Sequence, residues 1–374
     1  MADRARILVL IKGLGVGGAE RLLEASLPYL DRDRYDYHVG YLLPWKAALV
    51  PAFVEAGVPV YCLGMRHPGD PRVLMRLITL LRRERIDLVH AHLPVAGIWG
   101  RVAARLARVP RVVYTEHNLP QRYAFLTRLL NRQTYRMNDI VIAVSDEVRR
   151  AITGYANGRP RILTVQNAVD VETLATIVAD ASAVRREFGF PPDALVVTTI
   201  GNLTPKKGHT FLLEASRRVL ARHPNARFLL IGQGPLDDRL RAQANRLGLN
   251  GTVVFTGFRA DAVRLLAASD VFVLSSLFEG LPVTLLEAMA LGKASVVPRT
   301  GGIPEVTDET SSVLVPSGDA RALAEGISTV LDEPALRGKL GVAAQERARS
   351  RYGVRQMVHA VELLYAETMR EVDA

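Results

Sequence analysis

Short runs of apolar residues alternate with longer amphipathic segments along the first half of the chain. Runs such as RILVLIK, YDYHVGYLL and DLVHAH are short and rich in apolar residues, which is typical of strands buried in a parallel sheet. The segments between them, such as GGAERLLEASLPYL and VLMRLITLLRRER, have apolar residues at helical spacing. The pattern therefore predicts βαβ units, that is, a parallel sheet with helices on both of its faces.

The same alternation restarts in the second half. It loosens over 171–193 and ends in the run Gly-Phe-Pro-Pro-Asp at 189–193, which predicts a linker. Further strand patterns follow at LVVTTIG, RFLLIG, TVVFTG, DVFVLSS, ASVVP and SVLVP, with helix patterns between them. We therefore predict two α/β domains of the doubly wound, Rossmann-like type, over 1–172 and 185–350. They are expected to face each other across a deep cleft, where strand ends would bind ligands.

Length and composition fit a folded protein of two domains. The 374 residues suffice for two cores of roughly 170 residues each. The single cysteine, Cys62, cannot form an intramolecular disulfide, and no Cys/His cluster has the spacing of a zinc site. The opening apolar run is too short for a signal peptide, and no stretch is long enough for a membrane span. We expect a cytoplasmic protein that at most rests on a membrane.

The net charge of +10 is concentrated in the first half. Residues 1–172 hold 25 Lys and Arg against 16 Asp and Glu, whereas the remainder holds 23 against 22. Between 101 and 136 one acid, Glu116, stands among eight arginines: Arg101, Arg105, Arg108, Arg111, Arg122, Arg128, Arg132 and Arg136. Such a region would attract an anionic surface, or it is an ordinary solvated surface. The segment RYAFLTRLLNRQTYR could lie on an anionic membrane as a basic amphipathic helix. Nucleic acid is not expected as a partner, because exposed aromatics and recognisable modules are missing.

A glycine loop, KGLGVGGAE, follows the first strand and opens a helix. Its glycines would let backbone amides approach a ligand closely, and the helix N-terminus favours negative charge. The spacing departs from the G-x-G-x-x-G dinucleotide fingerprint, and the second strand does not end in an acid suited to a ribose. A nicotinamide or flavin site is therefore not expected here.

The segment EGLPVTLLEAMA is the strongest candidate for a binding site. Glu279 and Glu287 are eight residues apart, and Gly280, Leu281 and Pro282 open the helix between them. Free N–H groups at the helix start can bind phosphate or sugar oxygens, and a carboxylate further along can accept both hydroxyls of a ribose. The alternative is that Glu287 is a solvated helix residue, but its apolar neighbours make an unpaired carboxylate there costly.

A third element is IGNLTPKKGHTFLLEA, in which Lys206 and Lys207 lie between a strand pattern and a helix pattern. Gly208 opens the helix, so Lys207 is well placed to neutralise a diphosphate. Lysines also precede helices as ordinary surface residues, and the loop alone does not decide between the two interpretations.

In this order, the three elements resemble the retaining glycosyltransferases of the GT-B fold, family 4 type (glycosyltransferase group 1). The resemblance spans nearly the whole chain, and EGLPVTLLE is its most specific part. Supporting pieces are GGAE, HAHLPVAGIWGRVAARLARVPRVVYTEHN, VVFTGFR and TGGIPEV. The resemblance implies that the first domain meets the acceptor and the second holds a nucleotide-sugar donor. It also implies a last helix, at about 352–374, that packs back on the first domain.

The resemblance assigns roles to individual residues. Glu287 would bind the ribose hydroxyls, Glu279 would contact the transferred sugar, and Lys207 would meet the diphosphate. The backbone amides of Leu281, Pro282 and Val283, next to Gly280, would assist. The turn Gly257, Phe258 and Arg259 would lie beside the base, Gly17 and Gly18 would line the cleft, and His117 would approach the sugar. Glu279, Lys207 and His117 are thus the predicted catalytic residues.

The chain departs from the family's usual pattern at two positions. Asn202 stands where an arginine is usual, which removes one positive charge from the phosphate site. Either Lys206 compensates alongside Lys207, or the affinity for the donor is lower. Ser275 replaces a usual proline, and we expect little effect from that change.

The expected function is transfer of a hexose from a UDP- or GDP-sugar to a hydroxyl of a glycan or lipid-linked glycan in cell-surface polysaccharide or glycolipid synthesis. This would occur in the cytoplasm or on the inner face of the plasma membrane. The resemblance implies retention, for which we favour front-face attack. No Asp-x-Asp motif stands at a strand end, so neither a metal nor another cofactor is expected. An epimerase, or a synthase with a soluble sugar-phosphate acceptor, is the alternative on this fold, although EGLPVTLLE and TGGIPEV favour transfer.

Overall fold

A computed structural model describes residues 4–156 and 160–370 of the chain. It divides into two compact units. The first runs to Ala168 and includes the residues from Val354 onward, and the second spans Val169–Gly353. Each unit is built on a parallel sheet with helices between consecutive strands, so the predicted fold class of two Rossmann-like α/β domains is confirmed.

The first unit has a seven-stranded sheet in the order β3-β2-β1-β4-β5-β6-β7, with every neighbouring pair parallel. Its strands are β1 Ala5–Ile11, β2 Tyr35–Tyr41, β3 Val60–Cys62, β4 Leu88–His92, β5 Arg111–Glu116, β6 Ile140–Ala143 and β7 Arg161–Thr164. Its helices are α1 Gly18–Ser26, α2 Val50–Glu55, α3 Pro71–Arg83, α4 Pro94–Ala107, α5 Phe125–Thr134, α6 Asp146–Ala156 and, from the chain's end, α16 Val354–Arg370.

The second unit has a six-stranded parallel sheet in the order β10-β9-β8-β11-β12-β13. Its strands are β8 Leu195–Ile200, β9 Ala226–Ile231, β10 Val253–Gly257, β11 Val271–Val273, β12 Ala294–Pro298 and β13 Val313–Val315. Its helices are α7 Val171–Ala175, α8 Ala181–Glu187, α9 His209–Arg222, α10 Asp237–Arg246, α11 Ala262–Ala267, α12 Val283–Ala290, α13 Ile303–Val306, α14 Ala320–Asp332 and α15 Pro334–Arg351.

The central strands are buried along most of their length, as expected when helices cover both faces of a parallel sheet. Every residue of β4 and of β12 is buried. Since all these strands run in the same direction, the loops that follow them gather at one edge of each sheet. The predicted functional residues lie on those loops and at the starts of the helices that follow.

The segment 171–193 differs from the predicted linker. It belongs to the second unit and contains α7 and α8. Val184 and Phe190 are buried in an apolar cluster with Val196 and Leu265. The segment is therefore part of the core, and short helices with few apolar residues explain why its pattern looked loose.

The last helix, α16, belongs to the first unit, and the last four residues of the predicted helix lie outside the described residues. Its buried Glu362 accepts hydrogen bonds from Tyr37 Oη at 2.6 Å and from the backbone N–H of Asp31 at 2.9 Å. Tyr365 lies against His90. None of the helices within the described ranges is long and apolar enough to cross a membrane.

Candidate active site

Lys207 and Glu279 form a buried ion pair in the second unit. The Lys207 ammonium lies 2.6 Å from Oε1 of Glu279, and the two side chains are 13% and 6% exposed. Ser276 Oγ donates to the same oxygen, also at 2.6 Å. No residue that the structure describes donates to the second oxygen, Oε2. The carboxylate is thus fixed through one oxygen and can accept a hydrogen bond from a ligand through the other.

The loop that carries Glu279 is fixed by its neighbours. Leu277 donates its N–H to the carbonyl of Lys206 at 2.8 Å, and Ser275 Oγ donates to the carbonyl of Lys207 at 2.9 Å. On the other side, Thr300 Oγ1 donates to the carbonyl of Leu277 at 3.0 Å. These hydrogen bonds join the loop before α9 to the loop before α12, which explains how Lys207 and Glu279 come into contact.

Two glycines allow this close approach. Gly208 and Gly301 both have positive φ, +62° and +61°. A Cβ at Gly208 would lie 2.1 Å from the carbonyl oxygen of Ser275, and one at Gly301 would lie 1.9 Å from that of Glu279. Neither the backbone conformation nor the space admits a side chain. The TGG run of TGGIPEV therefore has a structural reason: its first glycine, Gly301, packs directly against the backbone of the Glu279 loop.

Electrostatics keep Glu279 ionised. Burial alone would raise the pKa of its carboxyl, but the ammonium group of Lys207, that group's hydrogen bond and the Ser276 hydroxyl together outweigh burial, so the pKa is lowered. Lys206, the other lysine of the loop, is exposed. Asn202, where the family's arginine is missing, is also exposed, and the stem of Lys207 lies beside the neighbouring Gly201.

Glu287 is the fifth residue of the helix α12, whose first residue is Val283, and so lies about one turn into it. It is half-buried, while its sequence neighbours Leu286 and Ala288 are fully buried. Pro282, at the N-cap, has no N–H, so the sequence-based assignment of a backbone amide to it was wrong. Of the three residues named for that role, Leu281 and Val283 alone carry an N–H group.

The turn after β10 shows how Arg259 is used. Gly257 has φ +70°, and Phe258 is 44% exposed. The guanidinium of Arg259 is paired with Asp261 at 2.7 Å and with Glu187 at 2.5 Å. Two carboxylates of its own unit thus hold Arg259. A base bound beside this turn would meet the backbone and the ring of Phe258 rather than a free guanidinium.

In the first unit, the glycine loop begins α1 with Gly17 as the N-cap and Gly18 as the first helical residue. A Cβ at Gly17 would lie 2.4 Å from Oε2 of Glu20, so the buried carboxylate occupies the space a side chain would need. Burial raises the pKa of Glu20, while its own backbone N–H and the charges of Lys46 and Lys12 lower it. The GGAE motif is therefore a helix start in which Gly17 makes room for Glu20.

His117 follows β5 and is buried beside two further histidines. His117 Nε2 lies 3.0 Å from Nδ1 of His92, the last residue of β4. The rings of His92 and His90 are 4.2 Å apart. His117 was predicted from the sequence and His92 was not, although the two histidines of HAH stand two residues apart on one face of a strand.

Arg101 and Glu116 are both buried and both bond to Asn131, which corrects the expectation of a wholly solvated or membrane-facing arginine surface. Arg101 is 0% exposed and donates to the carbonyl of Gly97 at 2.7 Å and to Asn131 Oδ1 at 2.5 Å. Glu116 is also fully buried and accepts from Tyr123 Oη. Burial raises the pKa of Glu116 to about 7, and its hydrogen bonds only partly oppose this. Arg101 therefore anchors α4 to α5 and is not available to an anionic surface.

The predicted site residues fall on both units. Lys206, Lys207, Glu279 and Glu287 lie in the second, with Asn202, Gly257, Phe258, Arg259 and the residues Gly280–Val283. Gly17, Gly18 and His117 lie in the first. The structure brings Lys207 and Glu279 into contact and adds Ser276, Glu20 and His92. Ser276 lies three residues before Glu279 on the same loop, where sequence spacing alone does not predict a contact between side chains.

Two family models match the chain. The model described as glycosyl transferases group 1 matches residues 180–347, and the model described as glycosyltransferase family 4 matches residues 16–173. Together they cover most of both units.

Named relatives and solved structures agree with these matches. The chain is 28% identical over 339 residues to the UDP-Gal:alpha-D-GlcNAc-diphosphoundecaprenol alpha-1,3-galactosyltransferase of Escherichia coli, covering 86% of each chain. It is 26% identical over 294 residues to a GDP-mannose-dependent phosphatidylinositol monomannoside mannosyltransferase of Corynebacterium glutamicum, covering 75% of this chain and 77% of the relative. The crystal structure of Anabaena HepE with UDP and glucose has a TM-score of 0.86 and 25% identity, covering 97% of this chain and 100% of that one. The chain therefore belongs to the family 4, group 1 glycosyltransferases, and it is a GT-B hexosyltransferase that uses a sugar-nucleotide donor in glycan or glycolipid synthesis.

Proposed function

We propose that the protein transfers a hexose from UDP-hexose to a hydroxyl of a lipid-linked glycan, with retention and without a metal ion. The observation that carries the proposal is Glu279, which is held through one oxygen by Lys207 and Ser276 while the other remains available to a sugar hydroxyl. The Escherichia coli relative is named for a UDP-sugar donor and a diphosphoundecaprenol-linked acceptor, and HepE was crystallised with UDP. GDP, named for the Corynebacterium relative, is the competing donor nucleotide.

In the proposed reaction, the bond between the anomeric carbon and the diphosphate oxygen breaks as the acceptor oxygen bonds to that carbon on the same face. The acceptor proton passes to the departing phosphate oxygen. Negative charge grows on the diphosphate during this step, and a positioned ammonium such as that of Lys207 stabilises it. Glu279 holds Lys207 in a defined rotamer before the donor binds.

Donor turnover without an acceptor tests both the reaction class and the stereochemistry. With UDP-hexose alone, the expected result is slow release of UDP and of free hexose whose first-formed anomer, followed by proton NMR, matches the donor. An inverted first-formed anomer would contradict retention. A changed sugar that remains attached to UDP would instead indicate the epimerase.

The metal-free mechanism is tested separately. Turnover is expected to survive exhaustive EDTA treatment, because Lys207 and Lys206 supply positive charge where a divalent cation would act. Complete loss in EDTA that Mg²⁺ or Mn²⁺ restores would contradict this part of the proposal.

Contact with an anionic membrane is proposed through α5. Four large apolar side chains of this helix are exposed: Phe125 by 71%, Leu126 by 63%, Leu129 by 39% and Leu130 by 38%. Residues 117–138 contain four arginines and no acid. On the other side of the helix, Asn131 is fully buried and bonded to Arg101, which fixes the orientation of α5. An apolar patch beside arginines suits the headgroup region of an anionic bilayer.

Vesicle sedimentation tests this contact. The protein is expected to sediment with phosphatidylglycerol vesicles at low salt, and Leu126→Ser is expected to weaken that binding roughly tenfold, as loss of a buried leucine implies. Leu363→Ser is the matched control, since Leu363 is 52% exposed on a different helix of the same unit. Equal binding of both variants would remove α5 from the proposal.

A further inference from the structure

Three neutral histidines lie at the carboxyl ends of β4 and β5. Burial lowers the pKa of His90 to about 3 and of His117 to about 4, and it lowers that of His92 well below its usual value. His90 is held at both nitrogens, by Tyr365 Oη at 2.5 Å and by Thr115 Oγ1 at 2.7 Å. Each ring is therefore uncharged near neutral pH, and each carries one proton whose position depends on its hydrogen bonds.

The contact between His92 and His117 restricts where those protons lie. Between Nδ1 of His92 and Nε2 of His117, one nitrogen donates and the other accepts. Nε2 of His92 is buried and has no partner among the described residues. If His117 were the donor, His92 would carry its proton on Nε2, leaving a buried N–H group without an acceptor. A buried N–H group without an acceptor loses its hydrogen bond to water and gains nothing in return, so this arrangement is disfavoured. The reverse arrangement leaves only an unused lone pair there.

The favoured arrangement has a consequence for His117. With Nε2 accepting from His92, the proton of His117 must lie on Nδ1. No described residue bonds to Nδ1 of His117, and this atom is absent from the group of fully buried atoms that lack a partner. His117 therefore offers an N–H donor to a ligand at the carboxyl edge of the sheet and is too weakly basic to accept a proton at neutral pH.

We propose that His92 is a positioning residue, which donates its Nδ1–H to Nε2 of His117 and so fixes His117 as a donor to an oxygen of the bound substrate. This inference rests on the proposed function for the identity of that substrate. Nothing in the family matches or in the named relatives assigns a role to His92.

The backbone conformation directly after His92 indicates that the surroundings hold this histidine in a defined position. Leu93 has φ +69° and ψ 151°, a backbone conformation that residues other than glycine rarely adopt, and Pro94 then begins α4. Such a conformation is strained and is maintained where the surroundings determine it. Here the surroundings include the His90 ring, which is tilted by 36° to that of His92 at a centroid distance of 4.2 Å.

The tautomer can be measured without any activity assay. In protein labelled with ¹⁵N-histidine, long-range proton–nitrogen correlation spectra distinguish protonated from bare ring nitrogens, and the signals of His117 are those lost in His117→Asn. The proposal expects a protonated Nδ1 and a bare Nε2. A proton on Nε2 of His117 would overturn it, whether or not UDP-hexose proves to be the donor.

Kinetics of two variants test the consequence. Asparagine places a side-chain N–H donor near the position of the histidine Nδ1, whereas phenylalanine keeps the ring and removes the donor. His92→Phe is expected to lower the turnover number at least roughly tenfold, with KM for the donor and stabilisation by UDP nearly unchanged. His92→Asn is expected to recover most of the rate. Full activity of His92→Phe, or equal losses in both variants, would contradict the positioning role. The wild-type spectra decide the matter if His92→Phe does not fold.

Discussion

Replacing Lys207 by methionine tests the buried ion pair that joins two loops of the second unit. Methionine keeps much of the aliphatic stem and removes the ammonium group. Glu279 would then be 6% exposed with Ser276 as its remaining close donor. In the wild type the pKa of Glu279 is lowered, so the ionised carboxylate stabilises the fold above its unfolded pKa, and this contribution is lost as the pH falls through the folded pKa.

The size of the effect follows from linkage. In the variant, the two largest effects that oppose burial are lost, and only the Ser276 hydrogen bond and the charge of Lys206 remain, so we expect burial to raise the pKa of Glu279 above its usual 4.5. The carboxyl can always take up a proton instead of remaining charged, which limits its penalty at pH 7 to 1.36 × (7 − 4.5), or about 3.4 kcal/mol. At pH 5.5 the same limit is about 1.4 kcal/mol. We expect Lys207→Met to destabilise the protein by about 3 kcal/mol at pH 7, in the range seen when buried pairs are broken.

Urea denaturation at the two pH values is the assay. The difference in unfolding free energy between wild type and Lys207→Met should shrink by about 2 kcal/mol from pH 7 to pH 5.5. The double variant Lys207→Met, Glu279→Gln should recover most of the loss, because no charge remains buried. Lys206→Met, at the exposed neighbour, should change stability by less than about 1 kcal/mol. A pH-independent loss, or no recovery in the double variant, would refute the reasoning.

Two further substitutions have defined outcomes. Gly301→Ala should destabilise the protein by more than Gly189→Ala, because both glycines have positive φ while only a Cβ at Gly301 would meet a backbone oxygen, 1.9 Å away. In urea denaturation the control should lose about 1 kcal/mol, and equal losses would mean that the clash is relieved by movement of the Glu279 loop. The pKa of Glu116 is raised to about 7, so its contribution to the free energy of unfolding is complete below pH 4.5 and decreases as the pH rises to 7. Glu116→Gln should therefore gain up to about 3.4 kcal/mol relative to wild type over that interval, and a constant difference between the two proteins would contradict the burial argument.

The periodicity of apolar residues predicted the strands of both sheets because strands buried on two faces are nearly continuous apolar runs. It failed over 171–193, where α7 and α8 are too short to show a helical period. Val184 and Phe190 reach the core there, but single buried residues leave no periodic signal. Packing of such segments depends on the surface they cover, which the local sequence does not contain.

The site was predictable residue by residue but not as an arrangement. Glu279 and Lys207 were each selected by their place at a helix start, yet they are 72 residues apart, and their contact depends on how two loops pack. For Arg101, the prediction from composition was wrong, although its position in the local sequence indicates burial. Counted by composition, it was one of eight surface arginines, whereas its position in VAGIWGRVAARLA, between Gly97 and Ala104 on one helix face, is what buries it.

The most direct test of the central claim is the thermal stability of the protein with UDP, GDP, ADP and NAD, each in turn. A nucleotide that binds only the folded state at 100 times its Kd adds about 2.7 kcal/mol to stability. We predict that UDP raises the melting temperature selectively, that Glu287→Ala abolishes the rise, and that Glu346→Ala, at an exposed helix position of the same unit, preserves it. Stabilisation by GDP in place of UDP would contradict the proposed donor. Stabilisation by none of the four, or by NAD alone, would contradict a nucleotide-sugar site built around Lys207, Glu279 and Glu287.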